Sequence, residues 1–159
     1  MTWVFGYGSL IWRPDFEFTD VREGWLPDRS RRFWQGSPDH RGTPQAPGRV
    51  VTLVPGGRCW GRLYRVPEHV LAHLDHREKA GYVREIARVA DVEALVYRAA
   101  EGNPSWLGPA PLRQMADEVR TRIGPSGTNL EYVLRLDQAL AEAGIEDPAV
   151  RALADAVRG

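Results

Sequence analysis

Lysine is almost missing from this chain: Lys79 stands alone, and the other cations among its 21 Lys+Arg are arginines. A phosphate-binding loop of the Gly-x-x-x-x-Gly-Lys type is thereby excluded, because the one lysine follows Glu78 and not a glycine. Cysteine is as scarce. Cys59 alone excludes an internal disulfide framework and predicts a reducing compartment. Net charge is absent too, since 21 Asp+Glu balance the 21 cations, so no electrostatic footprint for nucleic acid or an anionic membrane exists. No apolar run approaches the ~20 residues of a membrane span, and the chain enters Trp3-Val4-Phe5 without a basic signal region, which predicts a cytoplasmic protein. A dinucleotide fingerprint beginning at Gly6-Tyr7-Gly8 lacks its third glycine, because position 11 is Ile.

What is present is the composition of an ordinary globule, with 159 residues, 43% apolar and 26% charged. That length predicts a single domain over residues 1–159, burying roughly two-thirds of its unfolded surface. Trp3-Val4-Phe5 reads as a short strand ending at a glycine-rich turn. Arg49 to Val54, then Pro55-Gly56-Gly57, then Cys59 to Val66 reads as a hairpin with a glycine-bearing loop. Val83 to Val89 and Glu93 to Ala99 form a second antiparallel pair, and residues 36–48 a long loop. Farther on, Leu112, Met115, Ala116, Val119 and Ile123 make an amphipathic stripe closed by Gly124. Thr128-Asn129-Leu130-Glu131 is a capping box for a helix running to Gly144, and Asp147-Pro148 opens a last helix ending near Val157. Strands first and helices later predict an α+β fold.

The helix from Pro67 toward Gly81 carries the most chemistry. At ~100° per residue Val70, Leu71 and Leu74 share one stripe, and Glu78 falls inside it. A carboxylate pointing inward without an ion partner has a raised pKa, the profile of a general acid/base. A second reading is open at this point: Glu78 stands at the helix end, where it pairs with Arg77 or Arg84 or turns to solvent. His69, His73 and His76 lie on the opposite, polar face. No metalloprotease glutamate or cysteine pair accompanies them, so they are read as solvated and not as a metal site. Successive amides at Gly6 to Leu10 form a concavity for an anion or a carbonyl oxygen, or else simply reverse the chain.

The segment Val4-Phe5-Gly6-Tyr7-Gly8-Ser9-Leu10-Ile11-Trp12, followed by Ser30-Arg31-Arg32-Phe33-Trp34-Gln35-Gly36, closely resembles the ChaC family of glutathione-specific γ-glutamylcyclotransferases. The resemblance continues through His40-Arg41-Gly42, Pro47 to Leu53, Leu74 to Tyr82, Asn103 to Pro111 and Gly124 to Tyr132, nearly the whole chain in order. The compact of the family's two general forms is the nearer. It implies a small, mostly antiparallel β-barrel flanked by helices, with no metal and no organic cofactor. It further implies that the γ-glutamyl end of glutathione lies against Val4, Phe5, Gly6, Tyr7, Gly8, Ser9 and Leu10, and that Glu78 is the catalytic glutamate. Tyr132 is implied as a substrate contact, and Arg49 and Gln35 are candidates for the peptide end. The expected partner is the small-molecule substrate alone, without nucleic acid or membrane, for a monomer or homodimer. A cyclotransferase for other γ-glutamyl compounds, or a catalytically silent module that captures γ-glutamyl peptides, are the rival expectations.

Overall fold

The structure, a computed structural model, describes residues 1–77 and 81–159, and the chain divides into two compact units. Unit 1 comprises Met1–Ser30 with Leu53–Pro104; unit 2 comprises Arg31–Thr52 with Ser105–Gly159. The first strand, β1 (Thr2–Gly6), leads into a single 3-10 turn at Ser9–Ile11. Two long strands follow, β2 (Asp20–Ser37) and β3 (Gly48–Val66), then helix α1 (Glu68–Arg77) and the pair β4 (Tyr82–Val89) and β5 (Val92–Ala99). These strands order as β2-β3-β1-β5-β4 in an open, curled sheet with β2 and β4 at its ends. β1 runs antiparallel to β3, with Phe5 opposite Leu63 and Gly6 opposite Arg62, and parallel to β5 through Trp3–Ala94 and Val4–Leu95. The architecture is the expected α+β class, with a half-barrel sheet.

Unit 1 builds its core between this sheet and α1. Val4, Tyr64, Val66 and Tyr97 meet Val70, Leu71 and Leu74, the apolar stripe read from the helical spacing. Fully burying a side chain such as Leu74 is worth about 1.5–3 kcal/mol. The chain reverses between β4 and β5 at Ala90 and Asp91, both at positive φ (48° and 66°), the twist that suits a two-residue hairpin turn.

The Pro55-Gly56-Gly57 segment does not separate two strands as the sequence suggests. It lies inside β3, with Gly56 and Gly57 at φ 95° and 75°. Glycine pays no Cβ penalty there, so the backbone kinks locally while the strand goes on beside β2. The signal for a tight turn and the signal for a glycine kink are the same residues; the long partner strand decides between them.

Unit 2 holds residues 31–37 of β2, residues 48–52 of β3 and three packed helices: α2 (Leu112–Thr121), α3 (Asn129–Glu142) and α4 (Pro148–Arg158). Its core contains Ala116, Val119, Val133, Leu136, Leu140, Val150, Leu153 and Val157. Thr128 caps α3 by accepting from the Glu131 amide, and Asp147 caps α4 by accepting from Val150. The α2 stripe ends sooner than its periodicity suggests. Arg122 leaves the helix extended, and Ile123 and Gly124 form the short strand β6, paired with β7 (Gly127–Thr128), leaving Ile123 exposed. A Cβ on Gly124 would stand 2.4 Å from the His40 carbonyl oxygen, so this glycine serves a close backbone approach and not a helix stop. Among the described residues no helix is long and apolar enough to cross a membrane.

Candidate functional site

In unit 1 the glycine-rich turn is fixed by its surroundings. Gly6 packs under the turn so tightly that a Cβ would lie 2.6 Å from Leu10 Cβ, and Gly61 on β3 has equally little room, 2.4 Å from the Gly6 carbonyl oxygen. Gly8 sits at the head of the turn, whose internal bonds begin with the Ile11 amide donating to Gly8 O (3.0 Å) and the Trp12 amide to Ser9 O (3.2 Å). The amides of Ser9 and Leu10 therefore lie at the leading edge, outside the turn's own bonding. Val4, Phe5, Gly6 and Tyr7 are buried, whereas Gly8, Ser9 and Leu10 are half-buried. Of the expected γ-glutamyl contacts, the solvent-reachable ones are thus the turn residues, and Val4 belongs to the core against α1.

Tyr7 stacks near Phe5, with ring centroids 6.3 Å apart, and donates its hydroxyl to the Tyr97 carbonyl. The Tyr97 hydroxyl donates to Asp75 Oδ1 at 2.6 Å, and Arg84 grips the same carboxylate at 2.9 and 3.2 Å. Burial, reinforced by the Asp75 acceptor, pushes the Tyr97 hydroxyl well above the ordinary tyrosine value, so it remains a donor. On the other side of the turn, two β3 residues take its carbonyls: Arg62 Nη1 donates to Ile11 O and the Tyr64 hydroxyl to Leu10 O, each at 2.6 Å. Glu78, the expected general acid/base, lies outside the described residues. His69, His73 and His76 are exposed, and His69 Nε2 stands 3.4 Å from Glu17.

Gln35, Arg49 and Tyr132 are in unit 2. Gln35 is fully buried and bridges to Trp106. Arg49, 3% exposed, has Nη1 on the carbonyls of Phe33 (3.0 Å) and Gly108 (2.9 Å), and Nε on Glu118 (3.2 Å). Its backbone is clamped by Asn129, which accepts from the Arg49 amide at 2.7 Å and donates to its carbonyl at 2.8 Å. One turn farther along α3, the Tyr132 hydroxyl accepts from the Val51 amide at 3.2 Å, and the Arg41 guanidinium lies over the Tyr132 ring. Asn129 and Tyr132 thus dock α3 onto alternate residues of β3, whose backbone groups on one side face the helix.

Sequence reasoning found the turn but not the groups that hold it. Arg62 and Tyr64 occupy one face of β3 two residues apart, and only the β1–β3 register, which sets Arg62 opposite Gly6, carries them to the turn. Asp75 and Tyr97, which support Tyr7, and Glu118 and Asn129, which engage Arg49, were equally unassigned. A polar pair at i, i+2 in the apolar run Cys59 to Val66 was the available signal for Arg62 and Tyr64.

Residues 2–159 match the family model described as ChaC-like protein. The chain is similar to the human glutathione-specific γ-glutamylcyclotransferase 1, at 42% identity covering 98% of this chain and 78% of the human protein. It is also similar to γ-glutamylcyclotransferase 2-3 of Arabidopsis thaliana, at 39% identity over 98% and 88% of the two chains. Among solved structures, that of a yeast γ-glutamylcyclotransferase specific to glutathione superposes with a TM-score of 0.91 at 28% identity, covering 99% of this chain and 95% of the yeast one.

Proposed function

Because the chain belongs to the ChaC-like family, we propose that it is a glutathione-specific γ-glutamylcyclotransferase that converts glutathione to 5-oxoproline and Cys-Gly. The observation that carries this reading is the extent of the likeness, 42% identity to a glutathione-specific enzyme along 98% of the chain. The span of the family match, 2–159, supports treating both compact units as one functional domain. The lone, buried Cys59 is in keeping with a cytoplasmic enzyme. Its partner is the small-molecule substrate alone, acted on by a monomer or homodimer.

The reaction needs no second reactant. The α-amino group of the γ-glutamyl residue attacks its own side-chain amide carbon, a C–N bond forms as the amide C–N bond to cysteine breaks, and the departing amine takes a proton. Holding the flexible glutamyl chain in its ring-closing shape supplies up to ~7–11 kcal/mol of the barrier. The obstacle is protonation. An α-amino group near pKa ~7.8 is mostly ammonium at neutral pH, and a water-exposed glutamate near ~4.3 is about 3.5 units, or ~5 kcal/mol, too weak a base. An inward Glu78 narrows that gap: as carboxylate it removes the ammonium proton, and as acid it returns a proton to the Cys-Gly amine. The amides of Ser9 and Leu10 at the head of the turn receive the α-carboxylate or the developing oxyanion. Tyr132 is kept as a substrate contact; Gln35 and Arg49, both buried in unit 2, are candidates that separate measurements of stability and KM decide.

Incubation of the purified chain with glutathione, with mass-spectrometric detection of 5-oxoproline and Cys-Gly, tests the proposal. Product from glutathione well above that from γ-glutamyl-alanine supports it. Faster release from γ-glutamyl-alanine assigns a broader cyclotransferase, and calorimetric binding without product assigns a silent binding module.

A further inference from the structure

Two hydrogen-bonded series of peptide groups run through the turn, and each begins at a β3 side chain. The Tyr64 hydroxyl donates to Leu10 O; the amide of that same peptide group, Ile11 N–H, donates to Gly8 O; and the amide of the Gly8 peptide group is Ser9 N–H. In parallel, Arg62 Nη1 donates to Ile11 O; the amide of that group, Trp12 N–H, donates to Ser9 O; and the amide of the Ser9 group is Leu10 N–H. A donor at the carbonyl end of a peptide group draws electron density away from its N–H, so each link strengthens the next. A cation at the carbonyl end of a short turn acts in the same sense. Arg62 and Tyr64, two residues apart on β3, thus stand at the origins of the two series.

We propose that Arg62 and Tyr64 are positioning residues that fix the turn and polarise the amides of Ser9 and Leu10 toward a bound carboxylate. This rests on the reading that the turn holds the γ-glutamyl end of the substrate. Neither residue touches the reacting atoms. Their contribution is to ground-state and transition-state binding alike, and so belongs to KM and not to kcat.

Tyr64 is buried in the core of unit 1, and Tyr64→Phe keeps its volume while removing one donor. The expected result is a KM for glutathione raised about ten-fold, the scale of one lost hydrogen bond to a buried carbonyl, with kcat within about three-fold of wild type. Arg62→Met is expected to do the same or more, and Arg62→Lys, which keeps the charge, to recover most of the loss. Hydrogen exchange on the unliganded protein supplies a readout independent of turnover: the Ile11 and Trp12 amides should exchange faster in Tyr64→Phe and Arg62→Met, while amides of α3 stay as in wild type. An unchanged KM, unchanged exchange at Ile11 and Trp12, or an Arg62→Lys variant no better than Arg62→Met overturns the proposal. A wild-type chain that yields no 5-oxoproline instead removes the underlying reading, and the exchange data then decide the turn's support alone.

Discussion

Arg62 in unit 1 and Arg49 in unit 2 both donate to backbone carbonyls, but to different effect. Arg62 meets the trailing end of a turn and leaves that turn's leading amides outside its internal bonding. Arg49 is enclosed: Phe33, Gly108, Glu118 and Asn129 engage its guanidinium and backbone from four directions. A hydrogen-bonding group satisfied inside the protein contributes stability, whereas one directed to a cleft contributes recognition. Arginine content alone does not separate the two, and the sequence-level candidacy of Arg49 for the peptide end illustrates it.

Breaking Arg49 is the largest change expected. Arg49→Met leaves Glu118, only 17% exposed, without the Arg49 cation, and takes a charged donor from two carbonyls. Removing one partner of a buried ion pair costs about 3–5 kcal/mol. Urea denaturation should show that loss, while KM measured on the folded fraction stays near wild type. A large KM increase at undiminished stability would instead give Arg49 a role in binding the peptide end.

Glu78→Gln probes the opposite kind of residue. It keeps shape and hydrogen bonding but removes the base, so 5-oxoproline formation should fall at least ~100-fold, about 2.7 kcal/mol of barrier, with the denaturation midpoint unchanged. Near-normal turnover in this variant refutes the acid/base role.

What the sequence made legible was local. The α1 stripe, the caps at Thr128 and Asp147 and the β4–β5 pair depend on residues a few positions apart, and each is in place. The kink at Gly56-Gly57 reads as a turn in the sequence because its meaning depends on β2, a separate segment. The same holds at the site. Gly6 to Leu10 announced a tight turn by composition, but its supports Arg62 and Tyr64 are 51 and 54 residues away from their acceptors, and Arg49 meets Gly108 and Glu118 across 59 and 69. Partners at such separations carry no periodicity, so only the folded register reveals them.

A smaller effect distinguishes the two tyrosines offered as substrate contacts. Tyr7 donates to a carbonyl in unit 1, and Tyr132 accepts from an amide in unit 2. Tyr132→Phe removes the hydroxyl that accepts from the Val51 amide and should cost about 1 kcal/mol of stability. Tyr7→Phe should weaken substrate binding more than folding, because the same segment continues into the turn. Equal stability losses with no KM change at Tyr7 would count against its assignment.

The smallest effect contrasts two ion pairs. The Arg98 guanidinium holds Glu85 below its ordinary value of 4.5, with bonds of 2.6 and 3.0 Å, but Glu85 is 36% exposed and solvent screens the pair. A carboxyl depressed in the folded state contributes stability that is complete above its unfolded value and disappears as pH falls through the folded one. Wild type should therefore exceed Glu85→Gln by under ~1 kcal/mol at neutral pH, since exposed pairs rarely give more. That margin should shrink as the pH drops below 4.5 and vanish once the carboxyl is protonated in both states. Urea curves for both proteins across that range provide the check. A margin independent of pH would mean that Glu85 contributes through packing and not through its charge.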